Sequence, residues 1–299
     1  MKNILIIGCG LIGSSLLRSI ADKKIAKKIF IYEKSKSNII KLKKLKLPCE
    51  IARDLKKIIP NLDLIIFCTP LGEYEKIILK INKYLLPKTI ITDVGSSKEK
   101  SMELIKNKLK KGIFWTSSHP IAGSEVSGPE HGIKNLFHNK WCILIKEKNT
   151  NRKHLQVLGK FWKKIGSRVV IMDSKKHDTI FSMTSHLPHL IAYNLVKTAT
   201  DYEKQQGYEL IKFSAGGLRD FSRIAASNEI MWRDVFFNNE KNITKVIDLF
   251  IKNLLSFKSD IQSKNNKSII KKLVDTKKVR KKIIKLKQDT NKPDFGRDS

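Results

Sequence analysis

A histidine in a glycine-containing loop is the residue of this sequence best suited to proton transfer. His119 begins the segment that runs through Gly123 to Glu125. Far upstream, Gly8, Gly10 and Gly13 have the Gly-x-Gly-x-x-Gly spacing of a turn that holds the phosphates of a dinucleotide. If a nicotinamide dinucleotide lies there, at the carboxyl ends of parallel strands, a histidine can take a proton while the cofactor takes a hydride. The pairing predicts a dehydrogenase.

The sequence around the glycines fits a dinucleotide-binding unit. The apolar run 3–7 is typical of a buried parallel strand, and the amphipathic segment 14–20 is typical of a helix. In that order Gly8 permits the tight turn, Gly10 makes room for the pyrophosphate, and Gly13 lets the helix pack closely on the sheet. Because free backbone N–H groups at a helix start attract phosphate, Leu11 and Ile12 are also predicted to bind the cofactor.

Glu33 is predicted to select the cofactor. It ends a second apolar run, Ile29 to Tyr32, about twenty residues past the turn, where a carboxylate can accept hydrogen bonds from both ribose hydroxyls. We therefore expect NAD, but Lys34 and Lys36 leave NADP open, since a cation there could accommodate a 2′-phosphate. Thr69, after a later apolar run, is a further candidate for cofactor binding.

Length and composition indicate a soluble enzyme with two domains. The chain has 299 residues, of which 41% are hydrophobic, enough for two cores. Its four cysteines are dispersed without Cys-x-x-Cys spacing, and no secretory leader or membrane-spanning run is visible. We expect a cytoplasmic protein that does not interact with membranes.

The net charge of +32 raises the question of nucleic-acid binding. The lysines, however, are spread over almost every segment and do not form one basic stripe with aromatic partners. We interpret them as solvated faces and expect no nucleic-acid partner. A positive field could still steer a dianionic substrate to the site.

The order of apolar runs predicts an α/β fold with a doubly wound, Rossmann-type sheet, followed by an all-helical domain. Further strands are predicted at 62–68, 89–92, 112–117, 142–146 and 168–172. After Met172 helical periodicity dominates, and Asp173 with Ser174 can cap a helix. We predict a dinucleotide-binding domain at 1–172 and a helical substrate and dimerisation domain at 173–299, with a frayed tail at 288–299.

Five ordered motifs make the chain resemble the prephenate dehydrogenase family, which includes arogenate and cyclohexadienyl dehydrogenases of tyrosine biosynthesis. They are the glycine turn and the segments 92–98, 119–128, 185–189 and 216–225. The resemblance covers nearly the whole chain and implies a helical domain that forms a homodimer. It also implies an oxidative decarboxylation in which hydride and a hydroxyl proton leave the substrate and its ring becomes aromatic. A carboxylate-binding cation and a dry pocket are then required.

The resemblance assigns roles to individual residues. His119 matches the catalytic histidine of the family, and Ser96 matches a serine that could bond either the imidazole or the substrate hydroxyl. By the same resemblance, His189 contacts substrate and His186 supports the pocket. These two lie three residues apart around Pro188, which is expected to kink a long helix. Two histidines satisfied within a helix interface remain an alternative, and metal binding is weaker because no carboxylate or thiol has ligand spacing.

Arg223 is the candidate for binding a substrate carboxylate, since guanidinium can bind carboxylate through two parallel hydrogen bonds. Asp220 is expected to position it, and Glu125 to form a gating ion pair near the mouth. Arg219 is the second candidate, and an ordinary surface ion pair is the alternative for Arg223.

Two other functions stay open at this stage. A hydroxyacid-type dehydrogenase would place a lysine or a His-Glu pair in the helical domain, and a dinucleotide sensor would lack the base. The sequence does not separate prephenate from arogenate as substrate.

Overall fold

The structure is a computed structural model that describes residues 1–286. Its N-terminal part contains a five-stranded parallel sheet in the order β3-β2-β1-β4-β5. The strands are β1 (Asn3–Ile7), β2 (Lys28–Tyr32), β3 (Glu50–Ile51), β4 (Leu64–Phe67) and β5 (Ile90–Asp93). Chain order reverses across β1, which gives the switch point where open parallel sheets bind ligands. The predicted Rossmann-type fold is confirmed.

Five helices cover the two faces of this sheet. They are α1 (Leu11–Asp22), α2 (Lys36–Lys44), α3 (Leu55–Ile58), α4 (Tyr74–Ile81) and α5 (Glu99–Lys106). Alternate residues of β1 enter different cores: Ile4 and Ile6 pack with α1, and Leu5 and Ile7 pack with α4 and α5. The residue period of two in a strand therefore divides one apolar run between both faces.

A second, three-stranded sheet follows, which the sequence did not predict as separate. It contains β6 (Ser118–Pro120), β7 (Trp141–Ile145) and β8 (Arg168–Met172), with α6 (Arg152–Ile165) before β8. β6 is antiparallel to β7, and β7 is parallel to β8.

The predicted strand at 112–117 is wrong. Gly112 has a φ of +84° and ends a turn. Among the described residues, this segment makes one strand-like contact, a single bridge between Trp115 and Ile91. The aromatic ring of Trp115 packs instead against Phe67 and Tyr74 in the core. Regular pairing begins only at Ser118, so His119 lies within a strand and not in the loop after one.

Helices make up the rest of the described chain, and no strand occurs between residues 173 and 286. They are α7 (Ser174–Phe181), α8 (Leu187–Gln206), α9 (Gly216–Ala225), α10 (Glu229–Asn238), α11 (Glu240–Gln262) and α12 (Asn266–Lys285). The predicted cap is confirmed, because the Asp173 side chain accepts a hydrogen bond from the backbone N–H of Lys176. The predicted tail at 288–299 lies outside the described residues.

The helical part, residues 173–286, packs directly on the parallel sheet. Trp232 and Val235 of α10 belong to the same core cluster as Phe67 and Leu71. The Asp234 carboxylate also accepts a hydrogen bond from the backbone N–H of Gly72 at 2.8 Å. Within residues 1–286, none of the helices combines the length and the apolar character needed to cross a membrane.

Candidate active site

The glycine turn lies between β1 and α1, and its glycines meet different steric demands. Gly8 has a φ of +87°, and a Cβ there would lie 2.8 Å from Thr69 Cγ2. A Cβ on Gly13 would overlap the carbonyl oxygen of Gly8. A Cβ on Gly10 would meet nothing within 4 Å. Packing of the turn therefore requires Gly8 and Gly13, whereas Gly10 borders open space of the kind that a phosphate needs.

Hydrogen-bonding groups without partners lie at this turn. The helix α1 begins at Leu11 without a side-chain cap, so the N–H groups of Leu11 and Ile12 belong to a first turn that has no helical acceptors for them. The Thr69 side chain lies next to Gly8, and its buried hydroxyl has no hydrogen-bond partner within residues 1–286. A phosphate bound at this helix start would satisfy such donors.

Glu33 is held beside the turn at the end of β2. Its carboxylate accepts hydrogen bonds from the backbone N–H of Cys9 at 2.9 Å and of Ser35 at 2.8 Å. A carboxylate fixed there suits ribose hydroxyls. Lys34, the cation that kept a 2′-phosphate open, forms an ion pair with Glu73 at 2.8 Å.

His119 is the first member of a buried triad that continues into the helical part. Its Nδ1 lies 2.8 Å from Nε2 of His177 on α7, and Nδ1 of His177 lies 2.7 Å from Oδ1 of Asp178. The Asp178 carboxylate also accepts hydrogen bonds from the backbone N–H groups of Lys98 and Glu99, both at 2.9 Å. We call these residues the His119–His177–Asp178 triad.

The direction of these hydrogen bonds fixes where the protons are. Asp178 already faces two backbone donors and accepts from His177, so His177 carries its hydrogen on Nδ1. Its Nε2 then accepts from Nδ1–H of His119, which leaves a lone pair on His119 Nε2. Burial, followed by the charges of His177, Lys98 and His186, keeps the pKa of His119 well below its usual value. His119 is therefore neutral and able to accept a proton.

A buried ion pair holds β6 next to β5. The fully buried Lys98 Nζ lies 2.6 Å from Asp93 Oδ2 and donates to the carbonyl of Ser118 at 2.7 Å. The Asp93 carboxylate also accepts hydrogen bonds from the hydroxyls of Ser117 and Tyr74. Burial lowers the pKa of Lys98, and Asp93 opposes that shift. Through Ser118, this cluster fixes the residue next to His119.

Ser96 and His186 meet through a backbone contact. His186 Nε2 lies 3.2 Å from the Ser96 carbonyl, and His186 Nδ1 lies 3.0 Å from the Asn239 amide nitrogen. The Asn239 amide also donates to the Asp178 carbonyl at 2.8 Å. His186 is thus neutral with its hydrogen on Nε2, and burial lowers its pKa to about 4. Of the two bonds left open for the Ser96 hydroxyl, the one to the His119 imidazole does not occur among the described residues, and a catalytic role of Ser96 through the substrate hydroxyl stays a prediction.

The structure shows how the helix accommodates Pro188. A π-helical turn, Ser182–His186, joins α7 to α8 without a break, and Pro188 follows it at the start of α8. Wider turns of this kind occur where a helix lacks a regular hydrogen bond, and the kink itself stays a prediction. The His189 ring stacks on Trp232 with centroids 3.8 Å apart. Its Nδ1 donates to the Ser185 carbonyl at 2.9 Å, which leaves Nε2 as an acceptor.

Arg223 on α9 lies near His189, since its charge contributes to the lowered pKa of that histidine after burial. Its Nη1 is 3.4 Å from Glu125 Oε2, a loose ion pair with both side chains partly exposed. Its Nε is buried and finds no hydrogen-bond partner in the part of the chain that the structure describes. Asp220 lies three residues earlier on the same helix. The expected ion pair with Glu125 is confirmed, and the substrate role of Arg223 stays a prediction.

Sequence analysis missed the residues that connect these side chains. Four buried residues were passed over: His177, Asp178, Asn239 and Trp232. His177, Asn239 and Trp232 each contact a predicted site residue, and Asp178 contacts His177. His177 and Phe181 are four residues apart on one face of α7, and that spacing beside an adjacent carboxylate was the available signal. No cluster of three or more histidine, cysteine or acidic side chains within residues 1–286 is arranged to hold a metal ion.

Comparison with known protein families gives two adjacent matches. The model described as "Prephenate dehydrogenase, nucleotide-binding domain" matches residues 16–171, and "Prephenate dehydrogenase, dimerization domain" matches residues 173–285. Together they span most of the described chain.

Individual relatives agree with these matches. The chain is 31% identical over 279 residues to the cyclohexadienyl dehydrogenase of Zymomonas mobilis, with 93% of this chain and 95% of the relative covered. It is 32% identical over 284 residues to the prephenate dehydrogenase of Lactococcus lactis, covering 94% and 77%. The crystal structure of prephenate dehydrogenase from A. aeolicus in complex with hydroxyphenyl propionate and NAD+ is similar, with a TM-score of 0.87, 33% identity and coverage of 95% and 98%.

Proposed function

The chain belongs to the prephenate dehydrogenase family, and from this premise we propose that it catalyses the NAD-dependent oxidative decarboxylation of prephenate or arogenate in tyrosine biosynthesis. In this reaction the ring carbon that bears the hydroxyl loses a hydride, the hydroxyl loses a proton, and the ring carboxylate departs as carbon dioxide. The ring becomes aromatic. The observation that carries the proposal is the hydrogen-bonded chain from His119 Nδ1 through His177 to Asp178, from which we infer that Nε2 of His119 keeps a lone pair.

The glycine turn suits NAD. Gly10 borders open space, the N–H groups of Leu11 and Ile12 are free of helical acceptors, and the Thr69 hydroxyl is buried without a partner. Glu33 would bind the ribose through its fixed carboxylate. NAD, when bound, supplies the hydride acceptor of the reaction. Lys34 is the cation nearest to Glu33 in sequence, and its ion pair with Glu73 leaves it less available for the 2′-phosphate of NADP. This ion pair therefore supports a preference for NAD over NADP.

His119 would accept the substrate hydroxyl proton at Nε2. Its lowered pKa keeps the imidazole neutral and ready to accept, and the rings of His177 and Phe181 pack against it with centroids 5.0 and 4.9 Å away. These rings limit the access of water to the base, which strengthens hydrogen bonds made there. Ser96, at the end of the neighbouring loop, would orient the substrate hydroxyl.

Arg223 and His189 would hold the substrate from the helical side. The unpaired Nε of Arg223 and its loose contact with Glu125 leave guanidinium donors available for a carboxylate. His189 Nε2 is an acceptor beside the same arginine, and Trp232 fixes the plane of its ring. His186 would act indirectly, through the Ser96 loop and Asn239.

A spectrophotometric assay tests the proposal. Purified protein is mixed with NAD or NADP and with prephenate or arogenate, and the absorbance of the reduced cofactor is followed. We expect reduction of NAD with at least one of the two substrates. No reduction with either, from folded protein that binds NAD, would exclude the proposed reaction and favour a dinucleotide-sensing protein.

We further propose that the protein is a homodimer through its helical part. Among residues 1–286, the 23-residue helix α11 buries a single side chain, Ile243, and α12 buries none. Apolar side chains stay exposed along both: Leu249, Ile251, Leu254, Leu255, Ile261, Ile270, Leu273, Val274 and Val279. Apolar surface of this extent on consecutive helices is typical of an interface between subunits.

Light scattering after gel filtration tests the dimer. We expect a mass of two chains, and Leu254→Glu should shift it toward one. Leu79→Glu is the matched control, because Leu79 of α4 is exposed to the same degree, 57% against 56% for Leu254, and lies outside the helical part. A wild-type mass of one chain at all concentrations would exclude the dimer.

Two finer statements also stay proposals. We place the domain boundary at residue 172, since β8 ends there and α7 begins two residues later. The cytoplasmic location stays a prediction from the dispersed cysteines.

A further inference from the structure

The base of the proposed reaction has a partner that no comparison assigns. His177 is fully buried, and its two ring nitrogens are both engaged, with His119 on one side and Asp178 on the other. It lies on α7, whereas His119 lies on β6. A buried ring nitrogen is costly unless it is hydrogen-bonded, and at their shared contact each of these two imidazoles depends on the other for its partner.

We propose that His177 is a positioning residue for His119. It holds His119 in the tautomer with hydrogen on Nδ1, so that Nε2 keeps its lone pair for the substrate, and it takes over the charge that arises when the proton arrives. This inference rests on the proposed function. It extends that function by naming the group that makes His119 a competent base.

The proton step balances within the triad. The substrate hydroxyl proton moves to His119 Nε2, and the hydrogen on His119 Nδ1 moves to His177 Nε2. His119 returns to a neutral ring with hydrogen on Nε2, and His177 becomes an imidazolium next to the Asp178 carboxylate. After product leaves, the reverse shift releases one proton from His119 Nε2 to solvent. No electrons move within the triad, and no further reactant is needed.

The surroundings favour a positive charge on His177 over one on His119. Asp178 contacts His177 directly, at 2.7 Å, but reaches His119 only through that ring. The other charged group facing both rings is Lys98, whose charge is compensated by Asp93 at 2.6 Å. His186, the remaining titratable neighbour of His119, is neutral. Asp93, Asp178 and Lys98 together carry one net negative charge, and the carboxylate of Asp178 brings it into direct contact with His177.

Two substitutions of His177 separate its two tasks. His177→Gln keeps a carbonyl that can accept the Nδ1–H of His119 but cannot take up a proton. His177→Phe fills the space with a ring and offers no acceptor. We expect the single-turnover rate of NADH formation at saturating prephenate to fall about 10-fold in the first variant and about 10²-fold or more in the second, within the range of general-base effects. The KM for prephenate should change little in both.

The matched control is His154→Gln. His154 is also a buried histidine, on α6, with its Nδ1 unpaired. Its replacement should leave the single-turnover rate unchanged. Thermal unfolding of all variants identifies loss of fold as a separate effect.

Nitrogen NMR of the histidine rings, in the NAD-bound protein, gives a readout that does not depend on turnover. We expect hydrogen on Nδ1 of His119 in the wild type and in His177→Gln, and a mixture of tautomers in His177→Phe. Hydrogen on Nε2 in the wild type would overturn the proposal, as would equal rates in the wild type and His177→Phe. If the wild type fails to oxidise prephenate and arogenate, the proposed function fails, while the tautomer measurement still decides the role of His177.

Discussion

Replacement of Arg223 by alanine tests how the substrate is held. In the structure this side chain has one loose contact, 3.4 Å from its Nη1 to Glu125, and a buried Nε without a partner. A substrate carboxylate would therefore gain guanidinium donors that nothing else uses strongly. Removal of the side chain should weaken binding of the substrate and leave the base and the glycine turn intact.

The size of the effect follows from the number of bonds. A hydrogen bond to a charged group contributes about 1.5–3 kcal/mol, and a guanidinium can make two of them to one carboxylate. The contact with Glu125, partly exposed and worth about 0–1 kcal/mol, is given up in exchange. Two such bonds less that contact leave a net loss of roughly 2–6 kcal/mol, which corresponds to a KM between about 30-fold and about 2 × 10⁴-fold higher.

Initial rates of NADH formation against substrate concentration measure this KM. Arg219→Ala is the matched control, since Arg219 lies one turn earlier on the same helix. Glu125→Gln should lower KM modestly, at most about 5-fold, because it frees the guanidinium. A KM within a factor of about three of the wild type in Arg223→Ala would refute the assignment, and a large rise in Arg219→Ala would move the site there.

Four further expectations follow from particular residues. His119→Asn should reduce turnover about 10²-fold to 10⁴-fold. The NAD dissociation constant, measured by fluorescence titration, should stay nearly unchanged. Near-normal turnover would exclude His119 as the base. Gly10→Ala should fold normally and bind NAD more weakly, because its new Cβ enters open space. Gly13→Ala should lower the free energy of unfolding in urea melts by about 1–3 kcal/mol, because its Cβ overlaps the Gly8 carbonyl. Equal stability of the two variants would contradict this difference in steric demand. Lys98→Met should destabilise by about 3–5 kcal/mol because it leaves a buried carboxylate unpaired, and a loss below about 1 kcal/mol in the same melts would disprove that pairing. Burial lowers the pKa of His186 to about 4 in the folded protein, so between about pH 6.5 and 4 only the unfolded chain takes up this proton. The free energy of unfolding should therefore fall over that window by on the order of 3 kcal/mol from this group. In urea melts the stabilities of the wild type and His186→Gln should converge as the pH drops, and parallel curves would exclude this contribution of His186.

Local patterns predicted the parts of the fold that depend on neighbours in sequence. The strands Asn3–Ile7 and Arg168–Met172 occur where their apolar runs predicted them, and Asp173 caps a helix as expected. The prediction of a strand at 112–117 was wrong because the apolar side chain of Trp115 packs on Phe67 and Tyr74 and does not mark a paired strand. Hydrophobicity alone does not distinguish a paired strand from an extended segment that buries one large ring.

The candidate site was predictable only in part. His119, Arg223 and the glycine turn could be proposed from the sequence because motifs carry them. His177 was missed because its meaning depends on a contact across 58 residues of sequence, which periodicity does not encode. The π-helical turn before Leu187 was missed for a related reason, since Pro188 restricts the backbone equally at a kink and at a helix start.

The position of His177 has a consequence for the exchange of segments between relatives. A crossover near residue 172 would look harmless, because it falls in the short connection between β8 and α7. Under the proposal for His177, it would nevertheless pair the proposed base from one parent with its positioning residue from the other. Hybrids that fold well and bind NAD could then lose turnover by a small misalignment of two rings, and restoring the matching α7 from the first parent should recover it.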